Sequence, residues 1–248
     1  MKVIISPAKK LNEKSCDISS KSTIPFSKES EVLVNTLRDF SQDQLISLMG
    51  VSSSIANLNK DRFKNWSFPF ENSSKPAIFM FDGAVYNELD AQTLEQSDIL
   101  YMQDNLRILS GLYGILKPLD KIMPYRLEMG TKLEVNGYKN LYEFWGDKIT
   151  KQLSSECEED DIVVNLASNE YSKALDLNSF KNVVTPIFKD FKNDKLKVIS
   201  FFAKKARGSF ARFIIEDKPK KIEDLTSFSG LGYQFSEINS KNEIIFTR

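Results

Sequence analysis

Apolar residues come in short bursts separated by polar and turn-forming residues, and the bursts alternate between two periods. Val3-Ile4-Ile5, Ala77-Ile78-Phe79-Met80-Phe81 and Ile162-Val163-Val164-Asn165-Leu166 are compact, nearly continuous runs. Runs of that length predict buried strands. Residues 183–191 and 197–202 predict two more, and 232–235 with 244–246 predicts a closing hairpin. Between them the spacing lengthens toward the helical period. Ile99, Met102, Leu106 and Leu109 recur at three, four and three, which predicts an amphipathic helix over 98–109. Further helices are expected over 29–40, after Ser52, over 141–153, briefly after Ser168 and over 203–216. Ser41 and Gln44 have the spacing of a capping box ahead of Leu45, and Gly50 marks a stop. Residues 11–28 and 64–76 lack a period and read as irregular or packed loop. Strands separated by helices predict a mixed α/β (α+β) fold with a central mixed sheet flanked by helices. No repeat or long linker divides residues 1–248, so a single domain is expected.

Composition changes this picture mainly by exclusion. The chain has 248 residues and no histidine. A Ser-His-Asp triad, a Cys-His dyad and a His-ligated zinc or iron are therefore impossible within it. Its two cysteines, Cys16 and Cys157, are far apart, so a thiolate metal centre is not expected and no metal site or cofactor is assigned. Cys157 lies among Glu156, Glu158, Glu159, Asp160 and Asp161, a setting that raises a thiol pKa and blunts its reactivity. Both cysteines read as reduced thiols. Met1 to Ser6 is too short an apolar run for a signal peptide, and no stretch approaches a membrane span, so a cytoplasmic protein without membrane partners is expected. Formal net charge is zero, so attraction to nucleic acid would have to be local.

The strongest local charge pattern lies within residues 199–215. A helix there gathers Ala206, Phe210, Phe213 and Ile214 on one side and fans Lys204, Lys205, Arg207 and Arg212 across the other. Such a face is commonly just solvated. However, Lys204, Lys205 and Arg207 fall in the first turn of a helix over 203–216, where cations oppose the helix dipole and a bound anion is favoured. A phosphate is the expected ligand. A second segment, Leu106-Arg-Ile-Leu-Ser-Gly-Leu-Tyr-Gly-Ile-Leu-Lys-Pro118, has the outline of a helix-hairpin-helix, in which glycine-permitted turns offer N–H groups to a DNA phosphate. Gly111, Gly114 and Lys117 are its candidates. Two residues separate the glycines and Pro118 intrudes, so a plain helix C-cap explains the segment with fewer assumptions.

Other candidates are single residues. Lys9 and Lys10 follow a strand end and suit a crevice lining. The Ser6-x-x-Lys9 spacing lacks the companion motifs of penicilloyl acylation. Arg126 could clamp phosphate, and Tyr125 could stack on a base or donate a proton; an ion pair between Arg126 and Glu128 is an equal alternative. Asp82, Glu88 and Asp90 could hold a hard cation, although acidic loops are usually only solvated. Gly230-Leu231-Gly232 reads as a turn. Neither a Walker A sequence nor a dinucleotide fingerprint occurs.

Taken in order, several blocks resemble the YaaA family of peroxide-stress proteins. They are Ile5-Ser-Pro-Ala-Lys9, Leu109-Ser-Gly-Leu-Tyr-Gly-Ile-Leu-Lys-Pro-Leu-Asp120, Pro124-Tyr-Arg-Leu-Glu-Met-Gly130, Leu141-Tyr-Glu-Phe-Trp-Gly-Asp147, Val164-Asn-Leu-Ala-Ser-Asn-Glu-Tyr171 and residues 199–216. The resemblance implies a cytoplasmic protein of the hydrogen-peroxide response, associated with lowering free iron and limiting Fenton damage to DNA. It also implies a mixed α/β single domain with a basic cleft and a helix-hairpin-helix-like element, linked to DNA binding. It carries over no reaction and no catalytic residue. With no histidine and two separated cysteines, an effect on iron is expected to be indirect. An enzyme acting on a nucleotide or DNA base, using Lys9, Tyr125, Arg126 or Lys204, is the alternative.

Overall fold

The computed structural model describes residues 1–14, 20, 22–70 and 74–248; Cys16 lies outside them. Its centre is an eight-stranded mixed sheet. Lys2–Ile5 pairs in parallel with Leu106–Ser110 on one side and with Ile162–Asn165 on the other, Val3 facing both Leu106 and Val164. Asn182–Lys192 continues the parallel run beside Ile162–Asn165, and Glu243–Thr247 lies parallel beyond it. Three antiparallel partners finish the sheet: Gly114–Leu116 on Leu106–Ser110, Gln234–Ile238 on Glu243–Thr247, and Lys195–Lys197 folded back on the end of Asn182–Lys192. The central strands are covered on both faces, which is why their sequences are apolar runs rather than alternations. This is a mixed α/β single domain, as the sequence predicts.

Several elements form as the sequence predicts. Ser41 accepts from the Gln44 N–H at 3.2 Å while the Gln44 side chain accepts from the Ser41 N–H at 2.7 Å, a complete capping box. Gly50 ends that helix, Gln42–Met49, in the left-handed conformation, φ 60°. The first long helix, Ser27–Arg38, starts two residues earlier than expected, and Ser53–Asn65 follows Ser52. Asn169–Ser172 is the short helix after Ser168, and the C-terminal hairpin is present.

Elsewhere tertiary pairing overrides the local pattern. The run at 77–81 is a buried helical turn, Ala77–Met80, followed by a two-residue strand, Phe81–Asp82. The N–H groups of Ala77 and Ile78 find the Asp120 and Pro118 carbonyls instead of a neighbouring strand. The helix expected over 98–109 is Gln96–Asn105, and Leu106–Ser110 leaves it to pair with Lys2–Ile5. Leu106 and Leu109 fit the helical spacing, yet both are core residues of a strand. The helix expected over 141–153 breaks at Gly146, φ 50°, into Leu141–Trp145 and Lys148–Ser155. The strand expected over 197–202 ends at Lys197; Asn193 and Asp194, both at positive φ, turn the chain into Lys195–Lys197, and the helix Ser200–Asp217 begins soon after.

Two of these differences reach the candidate residues. Since the long helix starts at Ser200, Lys204, Lys205 and Arg207 lie beyond its first turn, and the dipole argument for them does not hold. The expected helix-hairpin-helix is a buried β-hairpin, Leu106–Ser110 with Gly114–Leu116. A Cβ on Gly111 would stand 2.3 Å from the Leu127 carbonyl oxygen, so its face is packed against backbone and closed to a phosphate.

Candidate functional site

Chain direction in the sheet marks one place for a ligand. From Lys2–Ile5 the next sheet strand in sequence lies to one side, and from Ile162–Asn165 it lies to the other. Diverging connections leave a crevice beyond the carboxyl ends of two such neighbouring strands. The loop after the first, Ser6-Pro7-Ala8-Lys9, and the segment after the second, Leu166 to Tyr171, both line a recess of about 480 Å³ there. Ser6 ties the two together: its Oγ accepts from the Ser168 N–H at 2.9 Å and donates to Ser168 Oγ at 3.3 Å.

Three other segments complete the walls. The turn at Gly83 and the helix Ala84–Leu89 form one, Tyr125 to Glu128 another, and Lys204 and Arg207 of the long helix a third. Five basic side chains line the recess (Lys9, Lys10, Arg126, Lys204 and Arg207), against three acidic ones (Asp82, Glu128 and Glu170). Most are paired. Lys10 meets Asp82 at 2.6 Å, and Glu128 takes Lys9 at 2.8 Å and Arg126 at 3.2 Å. Arg126 Nε is buried without a hydrogen-bond partner. Lys204 and Arg207 have neither an ion pair nor a hydrogen bond among the described residues. Lys204 is exposed, whereas Arg207 is half-buried, and loss of hydration lowers its pKa from the usual guanidinium value. An arginine does not shed its proton in a protein, so Arg207 is a partly desolvated cation with no counter-charge among the described residues.

The sequence candidates therefore divide. Lys9, Tyr125, Arg126, Lys204 and Arg207 converge on the recess. Lys205 turns away to Glu88 at 2.8 Å, and Arg212 is spent on Glu216 and on the Leu89 and Asp90 carbonyls. Lys117 lies in a separate cavity beside Arg107 and Asp120. Gly111 and Gly114 are inside the hairpin. Of the acidic trio considered for a cation, Asp82 and Glu88 hold lysines, and Asp90 accepts from the Thr93 hydroxyl at 3.3 Å.

Residues 1–239 match the family described as peroxide stress protein YaaA. The chain belongs to the YaaA family. It is 48% identical to a UPF0246 protein of Flavobacterium johnsoniae, with all of both chains covered. It is also 48% identical to a UPF0246 protein of Aliivibrio fischeri and 44% identical to one of Flavobacterium psychrophilum; the matches cover all of this chain and 98% and 100% of those proteins. Among the described residues, no helix of this YaaA member is long and apolar enough to cross a membrane.

The tyrosines of this YaaA site act as walls. Tyr125 is buried, and its hydroxyl is 2.6 Å from Ser110 Oγ. Tyr86 donates to the Ser6 carbonyl at 3.0 Å, and Tyr171 hydrogen-bonds the Met129 backbone. Burial pushes all three phenol pKa values well above normal, so each is neutral with its hydroxyl committed. Cys157 is elsewhere and half-buried; burial first, then Asp161, raises its thiol pKa.

Sequence reasoning missed Ser6, Ser168, Tyr86, Glu170 and Tyr171 as lining. The available signal was position: Ser6 and Ser168 stand just past two strands that prove to be neighbours. Their adjacency needs the topology.

Proposed function

We propose that this YaaA protein binds DNA through the phosphate-seeking pair Lys204 and Arg207, and in that way helps limit iron-dependent damage during peroxide stress. Membership of a peroxide-stress family supports the setting. One observation carries the chemistry: Arg207 is a half-buried cation without a partner among the described residues, lining a recess that also holds Arg126, whose buried Nε has no hydrogen-bond partner among them. Desolvating a charge without compensation is costly, and a phosphate oxygen would relieve it with a charge-assisted hydrogen bond. The surrounding carboxylates already hold lysines or backbone, so they leave this pair free for an external anion. Binding would be tolerant of sequence, because phosphate contacts carry no base information. The proposed effect on iron is indirect, since a chain without histidine and with two cysteines is poorly equipped to select ferrous ion.

The test replaces Lys204 and Arg207 together by glutamate and measures affinity for a short duplex at two salt concentrations. Each lost phosphate contact to a charged group is worth roughly 1.5–3 kcal/mol, so affinity should fall by at least about a hundredfold. Unchanged affinity would remove the proposal.

A second reading, an enzyme acting on a nucleotide or DNA base, draws on the convergence of Lys9, Tyr125, Arg126 and Lys204 in one recess. The commitment of the Tyr125 hydroxyl to Ser110 counts against that tyrosine as a proton donor. Borohydride trapping on abasic DNA tests a lysine Schiff base, and absence of an adduct disposes of that version.

A further inference from the structure

The recess offers more than cations, because its groups without a protein partner among the described residues are of both signs. Glu170 uses Oε1 to accept from the Gly130 N–H at 2.9 Å, and its Oε2 has no partner among the described residues. A ligand carrying only negative charge would leave that oxygen idle and be repelled by it. A ligand with an anionic end and hydrogen-bond donors at a distance would satisfy both Arg207 and Glu170. The rings of Tyr86, Tyr125 and Tyr171 line the same recess with their hydroxyls already taken, so they offer it apolar surface. About 480 Å³ lies within the size range of sites that enclose a small organic ligand, and the position at diverging strand ends is where α/β sheets hold them.

We infer that the recess takes a single nucleotide unit, with its phosphate at Lys204 and Arg207 and the donor groups of its base or sugar toward Glu170. The inference deepens the DNA reading above and rests on its cation pair. The same chemistry has two sources: a nucleotide turned out of a DNA strand, or a free nucleotide. A nucleotide turned out of the stack exposes the amino groups that pairing hides, and enzymes that read bases singly use enclosed pockets of this type.

The experiment uses the full chain and calorimetry with the four deoxynucleoside 5′-monophosphates, the matching nucleosides and inorganic phosphate. Alongside, a fully paired duplex is compared with one containing a single extrahelical nucleotide. At least one monophosphate should bind about tenfold more tightly than both inorganic phosphate and its own nucleoside, a margin one good charged hydrogen bond supplies. Glu170→Gln keeps an acceptor for Gly130 and should erase most of the margin over phosphate without weakening phosphate itself. Lys204→Gln, at an exposed position where folding is not at stake, should weaken phosphate and nucleotide in parallel. Tighter binding of the extrahelical duplex identifies DNA as the source. Nucleotide binding without duplex binding supports the inference with a free nucleotide as the source, and it removes the DNA reading. The inference is overturned if inorganic phosphate binds as tightly as every nucleotide. It is equally overturned if the paired duplex binds well and no nucleotide binds at all.

Discussion

Burial decides what individual charges can do in this protein, and Arg207 and Asp120 show it with opposite signs. Arg207 keeps its charge because a guanidinium has no accessible neutral form, so its partial desolvation leaves a cation at the recess, the basis of the proposed anion contact. Asp120 can neutralise. It is 1% exposed, and burial raises its pKa to about 6, although the Ser22 hydroxyl and the Lys117 N–H both donate to it. A carboxyl whose folded pKa exceeds its unfolded value of about 3.9 binds its proton more tightly in the folded state. Its contribution to stability is therefore complete below about pH 4 and lost as pH rises through about 6. Two pKa units correspond to about 3 kcal/mol. Asp120→Asn should hold the neutral form at every pH, so stability between pH 4 and 7 should fall less in the variant than in the parent. Denaturant melts across that window measure the difference, and parallel curves would show that Asp120 is ionised without penalty.

Among the elements, the crossing of Ser200–Asp217 over Ala84–Leu89 sets the width of the recess, since each helix supplies one wall. The two approach closely at Gly208, where an added Cβ would stand 2.1 Å from the Val85 carbonyl oxygen and 2.8 Å from its carbon. Both are backbone atoms, so no side chain can swing aside. Gly208→Ala gains about 1 kcal/mol of helix propensity, but overpacking at a fixed contact costs about 1–3 kcal/mol and separation of the helices adds lost burial. Net destabilisation of about 1–2 kcal/mol by denaturant midpoint is expected, with weaker binding of the proposed ligand because the wall formed by Ala84–Leu89 moves away from the one that carries Lys204 and Arg207. A variant as stable as the parent and binding normally would show that the helices tolerate separation. This crossing could not be read from the chain: Gly208 sits in a continuous helical pattern, and nothing in residues 84–89 marks them as its partner. The same limit explains the misread elements. Leu106 and Leu109 satisfy a helical period by coincidence, and only the edge offered by Val3-Ile4-Ile5 decides for a strand. By contrast, Ser41 with Gln44, and the turn at Gly50, were legible because capping is local. The cations of the site were legible as a cluster. Which of them remain unpaired was not, because Glu88 and Glu216 claim Lys205 and Arg212 in space.

At the scale of the whole molecule, zero formal net charge and a recess with two cations unpaired among the described residues constrain how the proposed DNA binding would depend on salt. With no net charge to draw DNA in, affinity under this proposal would have to come from contacts within a Debye length, about 8 Å at physiological ionic strength. Each phosphate neutralised on duplex DNA releases condensed counterions and contributes a slope of about −0.9 to the logarithmic plot of affinity against salt. Lys204 and Arg207 alone predict a slope near about −2, and recruitment of Lys9 away from Glu128 would bring it to about −3. A slope of about −6 or steeper would require a broad basic surface, which the pairing of Lys10, Lys205 and Arg212 with carboxylates argues against. Glu128→Gln separates the first two cases. It frees Lys9 and Arg126 from their shared carboxylate, so under the proposal duplex affinity should rise and the slope should steepen by about one for each of them that reaches a phosphate. Equilibrium binding over a salt series with both proteins gives the two slopes directly. An unchanged slope in the variant would mean that neither Lys9 nor Arg126 reaches a phosphate, leaving Lys204 and Arg207 as the whole of the proposed electrostatic contact.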